Sequence, residues 1–169
     1  MMPAMVKDVA SVPTPIDTEY LVRSDLLGDF VIRSTSAIEF PSGLLGFPEC
    51  QRFALVRAGT DSAYWLQSLD HSALVFLLVD PFPHFADYSV DIPSSELAEL
   101  GASSPADLAV LAIVTLPNPG VDARPTANLQ GPIAVNLRKR RGKQIVAGDT
   151  DFGVRCPFDL IDPNVAPSA

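Results

Sequence analysis

Hydrophobic and polar positions alternate along much of this chain, and the alternation comes in short bursts. Phe30, Ile32, Ser34, Ser36, Ile38 and Phe40 alternate with Val31, Arg33, Thr35, Ala37 and Glu39. A period of two marks an extended strand, so 30–40 is predicted as one strand. Pro41-Ser42-Gly43 turns the chain. Arg52–Arg57 and Tyr64–Asp70 are two more strands, joined by a hairpin loop at 58–62. Leu74–Val79 is apolar at every position, which predicts a strand buried on both faces. Asp80-Pro81 stops it, because proline donates no ladder hydrogen bond.

Helical signals are few. Ser94 or Ser95 is placed to cap a short helix, Glu96 suits its first turn, and Gly101 suits its end. Ser104-Pro105-Ala106-Asp107 suggests a second single turn with Pro105 at its first position. Leu108–Leu116 reads as a central strand, and 117–125 as a proline-rich loop. Ile133–Leu137 and Gln144–Ala147 flank a basic hairpin turn, Arg138–Lys143. Short strands with frequent turns predict a mostly β fold: an antiparallel barrel or sandwich-like single domain with one or two short helices.

Composition refines this picture at the ends. Residues 1–29 mix Pro3, Pro13 and Pro15 with five acids and two bases. They are expected to form a disordered acidic tail. The β domain is then expected over 30–158, and 159–169, with Pro163 and Pro167, as a second disordered tail. A chain of 169 residues buries enough surface to fold without a staple. The formal net charge is −8, which favours basic partners and repels nucleic-acid phosphates. No signal peptide is recognisable at the start, and the apolar runs are too short to span a bilayer. A cytoplasmic location is therefore expected, with no membrane contact.

Candidate chemistry is thin. Cys50 and Cys156 are not in a CxxC pair and read as buried or half-buried thiols acting as small hydrophobes. Cys50 with His71 or His84 is a possible nucleophile pair, but Glu49 beside it disfavours a thiolate. His84 between Asp80 and Asp87 invites a metal, yet a stiff loop with aromatic contacts explains it more simply. Asp149 and Asp151 read as solvated turn residues rather than a catalytic dyad. No enzyme activity, cofactor or metal is expected. The run Arg138–Lys143 holds five of the twelve basic residues, but no aromatic is interleaved for base stacking. It is better explained as a charged hairpin tip that protects a sheet edge, so no direct nucleic-acid binding is expected.

Three stretches carry a family resemblance. They are Phe40-Pro41-Ser42-Gly43-Leu44-Leu45-Gly46-Phe47-Pro48-Glu49, then Trp65–Asp70 with Leu74–Pro81, then Ile113–Pro117 with Thr126-Ala127-Asn128-Leu129-Gln130-Gly131-Pro132-Ile133-Ala134-Val135-Asn136. Together they resemble FliW, the flagellar assembly factor family, over about residues 30–158. The resemblance implies a small cytoplasmic β-barrel-like protein without catalytic activity. It implies two partners: CsrA, the RNA-binding repressor of flagellin translation, and flagellin itself. Flagellin would occupy the protein and free CsrA; export of flagellin would reverse this.

Within these motifs, Gly43 and Gly46 are expected to supply turn conformations, and Leu44, Leu45 and Phe47 to fill the core. Gly131-Pro132 suggests a bend or bulge in a strand. Asn128 and Gln130 either satisfy backbone groups at that bend or offer a polar rim. Aromatic residues are over-represented in binding hot spots. Asp80, Phe82, Phe85 and Tyr88, with Thr126, Asn128 and Gln130, are therefore the expected partner-binding residues. Competing readings are a chaperone that holds flagellin without touching CsrA, an RNA-binding barrel using Arg138–Lys143, and a small enzyme using Cys50 or the His84 loop.

Overall fold

A computed structural model describes residues 16–59, 62–121, 123–148 and 150–160. Ten strands and one short helix are present among them: β1 Glu19–Val22, β2 Phe30–Arg33, β3 Ile38–Glu39, β4 Arg52–Arg57, β5 Ala63–Ser68, β6 Val75–Val79, α1 Ser94–Glu99, β7 Ala109–Thr115, β8 Thr126–Asn136, β9 Arg141–Gln144 and β10 Cys156–Pro157. Strands β8, β7, β6, β5, β4, β3 and β9 pair in that order, and β9 pairs back with β8. Seven strands thus close into a barrel, which removes the exposed edges that invite aggregation. Every ladder is antiparallel except β3 with β9.

The alternation seen in the sequence separates two cores. Ile38, Phe40, Cys50, Phe53, Leu66, Leu78, Leu111, Ile133 and Val135 fill one cluster. Their strand neighbours Leu77, Val79, Ala112, Val114, Ala127 and Leu129 form the other, covered by Tyr88 and Phe158. β6 therefore is buried on both faces, as its continuous apolar run requires. Leu100, the residue that caps the C-terminus of α1, packs with Ala134 and Ile145 in a third small cluster. Burying a Leu or Phe side chain in this way stabilises by roughly 1.5–3 kcal/mol.

Several expectations need correction. The segment 30–40 is not one strand: a 3-10 turn at Ser34–Ser36 divides β2 from β3. Ser34 Oγ accepts from Thr18 N, so a hydroxyl competes with the ladder there. Residues 16–29 do not behave as a disordered tail. β1 pairs with β2 from Glu19↔Arg33 to Val22↔Phe30, and Val22 is buried. The apolar patch Tyr20-Leu21-Val22 has a partner strand eight residues on, and that pairing outweighs the acidic composition. Residues 1–15 and 161–169, on which the rest of both expected tails falls, lie outside the described residues. In α1 the cap position is Pro93, with Ser94 already helical and no side-chain cap. Gly101 ends it at φ +65°. The turn at Pro105–Asp107 has the predicted Pro at its start and a capping box between Ser104 and Asp107. The basic segment is only partly a turn, since Arg141–Gln144 is strand β9.

Candidate functional site

The bend anticipated at Gly131-Pro132 is a large bulge in β8. Leu111 pairs with Ile133, but Ile113 pairs with Asn128, so β8 holds extra residues against Ala112. Before the bulge, β8 pairs with β7 and β10; after it, with β7 and β9. The freed backbone groups all find partners. Asn128 Oδ1 accepts from Gln130 N and Gly131 N at 3.1 and 2.9 Å. Gln144 Nε2 donates to Gly131 O, while Leu129 N, Ile145 N and Ala147 N close on Gly153 O, Pro132 O and Gln130 O. Of the two readings of Asn128, the structure shows the backbone-satisfying one.

The segment after β6 wraps beside this bulge. Asp80 Oδ1 accepts from Phe82 N, and Pro81 O accepts from His84 N and Phe85 N, which curls 80–85 into a tight turn. Phe85 is half-buried against Phe152 and Phe158. Tyr88 is buried, packed on Phe152, and its Oη donates to Leu129 O at 3.0 Å. Burial pushes the Tyr88 phenol up to about 12. Phe82 is 46% exposed and lies 5.7 Å from the Tyr88 ring.

The two expected segments therefore do meet, through Tyr88 and Leu129. Within them the side chains divide by role. Tyr88 and Thr126 are buried, and Asn128 serves the bulge. Phe82 and Gln130 are exposed, and Asp80 and Phe85 half-exposed. Phe82 and Gln130 are thus the most exposed of these seven side chains.

Other surface features were not anticipated. Leu45, expected in the core, is 65% exposed, while Leu44 is buried. Gly43 and Gly46 have φ +66° and +89°, and the tight turn between them directs the two leucines to opposite sides. Leu45 N donates to Gln144 Oε1, and an open groove runs between Leu45, Pro48, Gln144 and Val146. Of the basic run, Lys143 is bound by Glu96 and Glu99 at 2.6 and 2.7 Å, and Arg141 donates to Glu99 O. The helix thus draws two of the five cations away from any ligand. Asn136 Oδ1 orders the turn itself by accepting from Arg138 N and Lys139 N.

The candidate chemistry is also placed. His84 stacks edge-on to Phe158 at 5.1 Å. Asp149 lies outside the described residues. Cys50 is buried near His71 and Glu49. Burial raises its thiol above the ordinary cysteine range, against a hydrogen bond from Ser68 that lowers it. A neutral buried thiol is a poor nucleophile, which argues against the enzyme reading. The Cys50–His71 proximity was legible in principle. Phe53 pairs with Ser68, and the same register carried outward sets Cys50 opposite His71.

Comparisons with known proteins agree with this architecture. The family model described as FliW protein matches residues 21–158. A flagellar assembly factor FliW of Treponema denticola is 38% identical, covering 79% of this chain and 90% of that protein. One from Natranaerobius thermophilus is 32% identical over 81% of this chain and 91% of that protein. A crystal structure of the flagellar assembly factor FliW superposes with TM-score 0.75 at 32% identity, covering 86% of this chain and all of that one.

Proposed function

Because this chain belongs to the FliW family of flagellar assembly factors, we propose that it is a non-catalytic cytoplasmic binding protein that antagonises CsrA and is itself sequestered by flagellin. Flagellin synthesis would then follow flagellin export. The observation that carries this reading is the family match across nearly the whole described barrel. The molecule's own properties support it. A net charge of −8 suits a basic RNA-binding partner and speeds encounter at low salt. Among the described residues no helix is long and apolar enough to cross a membrane.

Occupancy would switch by mass action: whichever partner binds depletes the form available to the other. The contact face proposed is Phe82 and Gln130, with Asp80 and Phe85 at its margin. Phe82 is the aromatic anchor, because it is exposed yet held by its turn and by Tyr88.

The test is displacement of flagellin messenger RNA from CsrA, followed by fluorescence anisotropy. Adding this protein should release the RNA, and adding flagellin should restore the complex. RNA that stays bound at saturating protein would overturn the antagonist reading and leave a flagellin-holding chaperone.

A further inference from the structure

The geometry points to a divalent-metal site of the zinc class built from Glu49, Cys50 and His71, distinct from the partner face. One donor atom from each of these three residues lies within 4.8 Å of the others. Metal–sulfur and metal–nitrogen bonds of about 2.3 and 2.0–2.1 Å fit a cation among donors so spaced after small side-chain rotations. Cys50 is fully buried, whereas Glu49 and His71 are exposed. The ion would sit at the surface and cap the sulfur, leaving a fourth position for water.

The donor set has the right chemistry. A thiolate and an imidazole favour zinc over calcium or magnesium, which take oxygen ligands. One thiolate, one carboxylate and a neutral imidazole balance a dication, so the occupied site is neutral. On coordination the Cys50 proton leaves to solvent, and the sulfur–metal bond replaces the S–H bond.

The backbone is already arranged to hold these donors together. Asp70, between the two loops, accepts from Gln51 N, Arg52 N and the Arg52 guanidinium at 3.1, 3.3 and 3.3 Å. Leu69 N donates to Arg52 O. Ser68 Oγ accepts from Asp70 N and His71 N, both at 3.0 Å, fixing the His71 loop. Cys50 N donates to Phe47 O, fixing the other side. A bound ion would staple the 41–50 turn to the 69–74 loop.

Titration of the full chain with Co²⁺ tests this, because thiolate coordination gives a sulfur-to-cobalt charge-transfer band in the near ultraviolet. The band should appear at one equivalent, be quenched by Zn²⁺, and persist in Cys156→Ser. It should vanish in Cys50→Ser. The exposed substitution His71→Ala, which does not disturb the core, should weaken affinity at least tenfold. No band in the natural chain, a band lost in Cys156→Ser, or an affinity unchanged in His71→Ala overturns the site.

Discussion

The Tyr88 hydroxyl donates to the Leu129 carbonyl at 3.0 Å, across 41 residues of sequence. This bond pins the segment after β6 to the β8 bulge, and it is the point where the two halves of the proposed contact face join. Removing the donor in Tyr88→Phe keeps the ring packing but leaves the carbonyl without it. The expected cost is about 1–3 kcal/mol in a denaturant titration.

The same residue predicts an alkaline limit. The folded-state value of the phenol is raised to about 12, against about 10 for an unfolded tyrosine. A raised value means the stabilisation is complete below pH 10 and is lost as pH climbs towards 12. Thermal melts across that window should fall more steeply for the natural chain than for Tyr88→Phe.

Asp70 sets an acid limit of opposite sign. Burial alone would raise its carboxyl, but donation from Gln51 N and from the Arg52 guanidinium and N–H outweighs this and holds it below the ordinary 3.8. Its stabilisation is present above the unfolded value and is lost as pH falls through the folded one. Asp70→Asn should flatten the loss of stability below about pH 4, measured by circular dichroism.

Gly142 tests the closure of the barrel. A Cβ there would land on the ring of fully buried Phe40. Gly142 pairs with Val135 at the β8–β9 seam, and the Phe40 ring is packed on Phe53 at 5.1 Å in the core, so it cannot simply swing aside. Gly142→Ala should cost about 1–3 kcal/mol by overpacking, read as a lowered melting temperature.

Much of this was legible in the sequence, and the failures have physical causes. β4, the doubly buried β6, the central β7 and the bulge at Gly131-Pro132 follow from local patterns, because burial and proline act on neighbouring residues. The division of 30–40 was hidden, since a 3-10 turn of Ser34, Thr35 and Ser36 interrupts a pattern whose apolar residues keep strand spacing. β1 was hidden because its partner lies across a turn and only pairing gives it stability. In the candidate site, the sequence pattern does not separate exposed Phe82 and Gln130 from buried Tyr88 and Thr126. Whether a tyrosine faces a partner or a carbonyl is decided by the bulge, and the bulge depends on β7 register.

Asn128 and Gln130 should separate fold from function. Asn128→Ala strips the acceptor from two bulge amides and should cost about 1–3 kcal/mol. Gln130→Ala changes an exposed side chain and should leave stability within about 0.5 kcal/mol. Paired with Phe82→Ala, it should weaken partner binding while the melting temperature holds. Unchanged affinity in that double variant would move the contact face elsewhere, with the Leu45–Val146 groove the next place to probe.

The central claim is most directly tested by titration calorimetry of the purified protein against CsrA, repeated with flagellin present. The account predicts saturable binding to CsrA that flagellin suppresses. Binding to flagellin alone, or CsrA binding that flagellin leaves untouched, would contradict the switch.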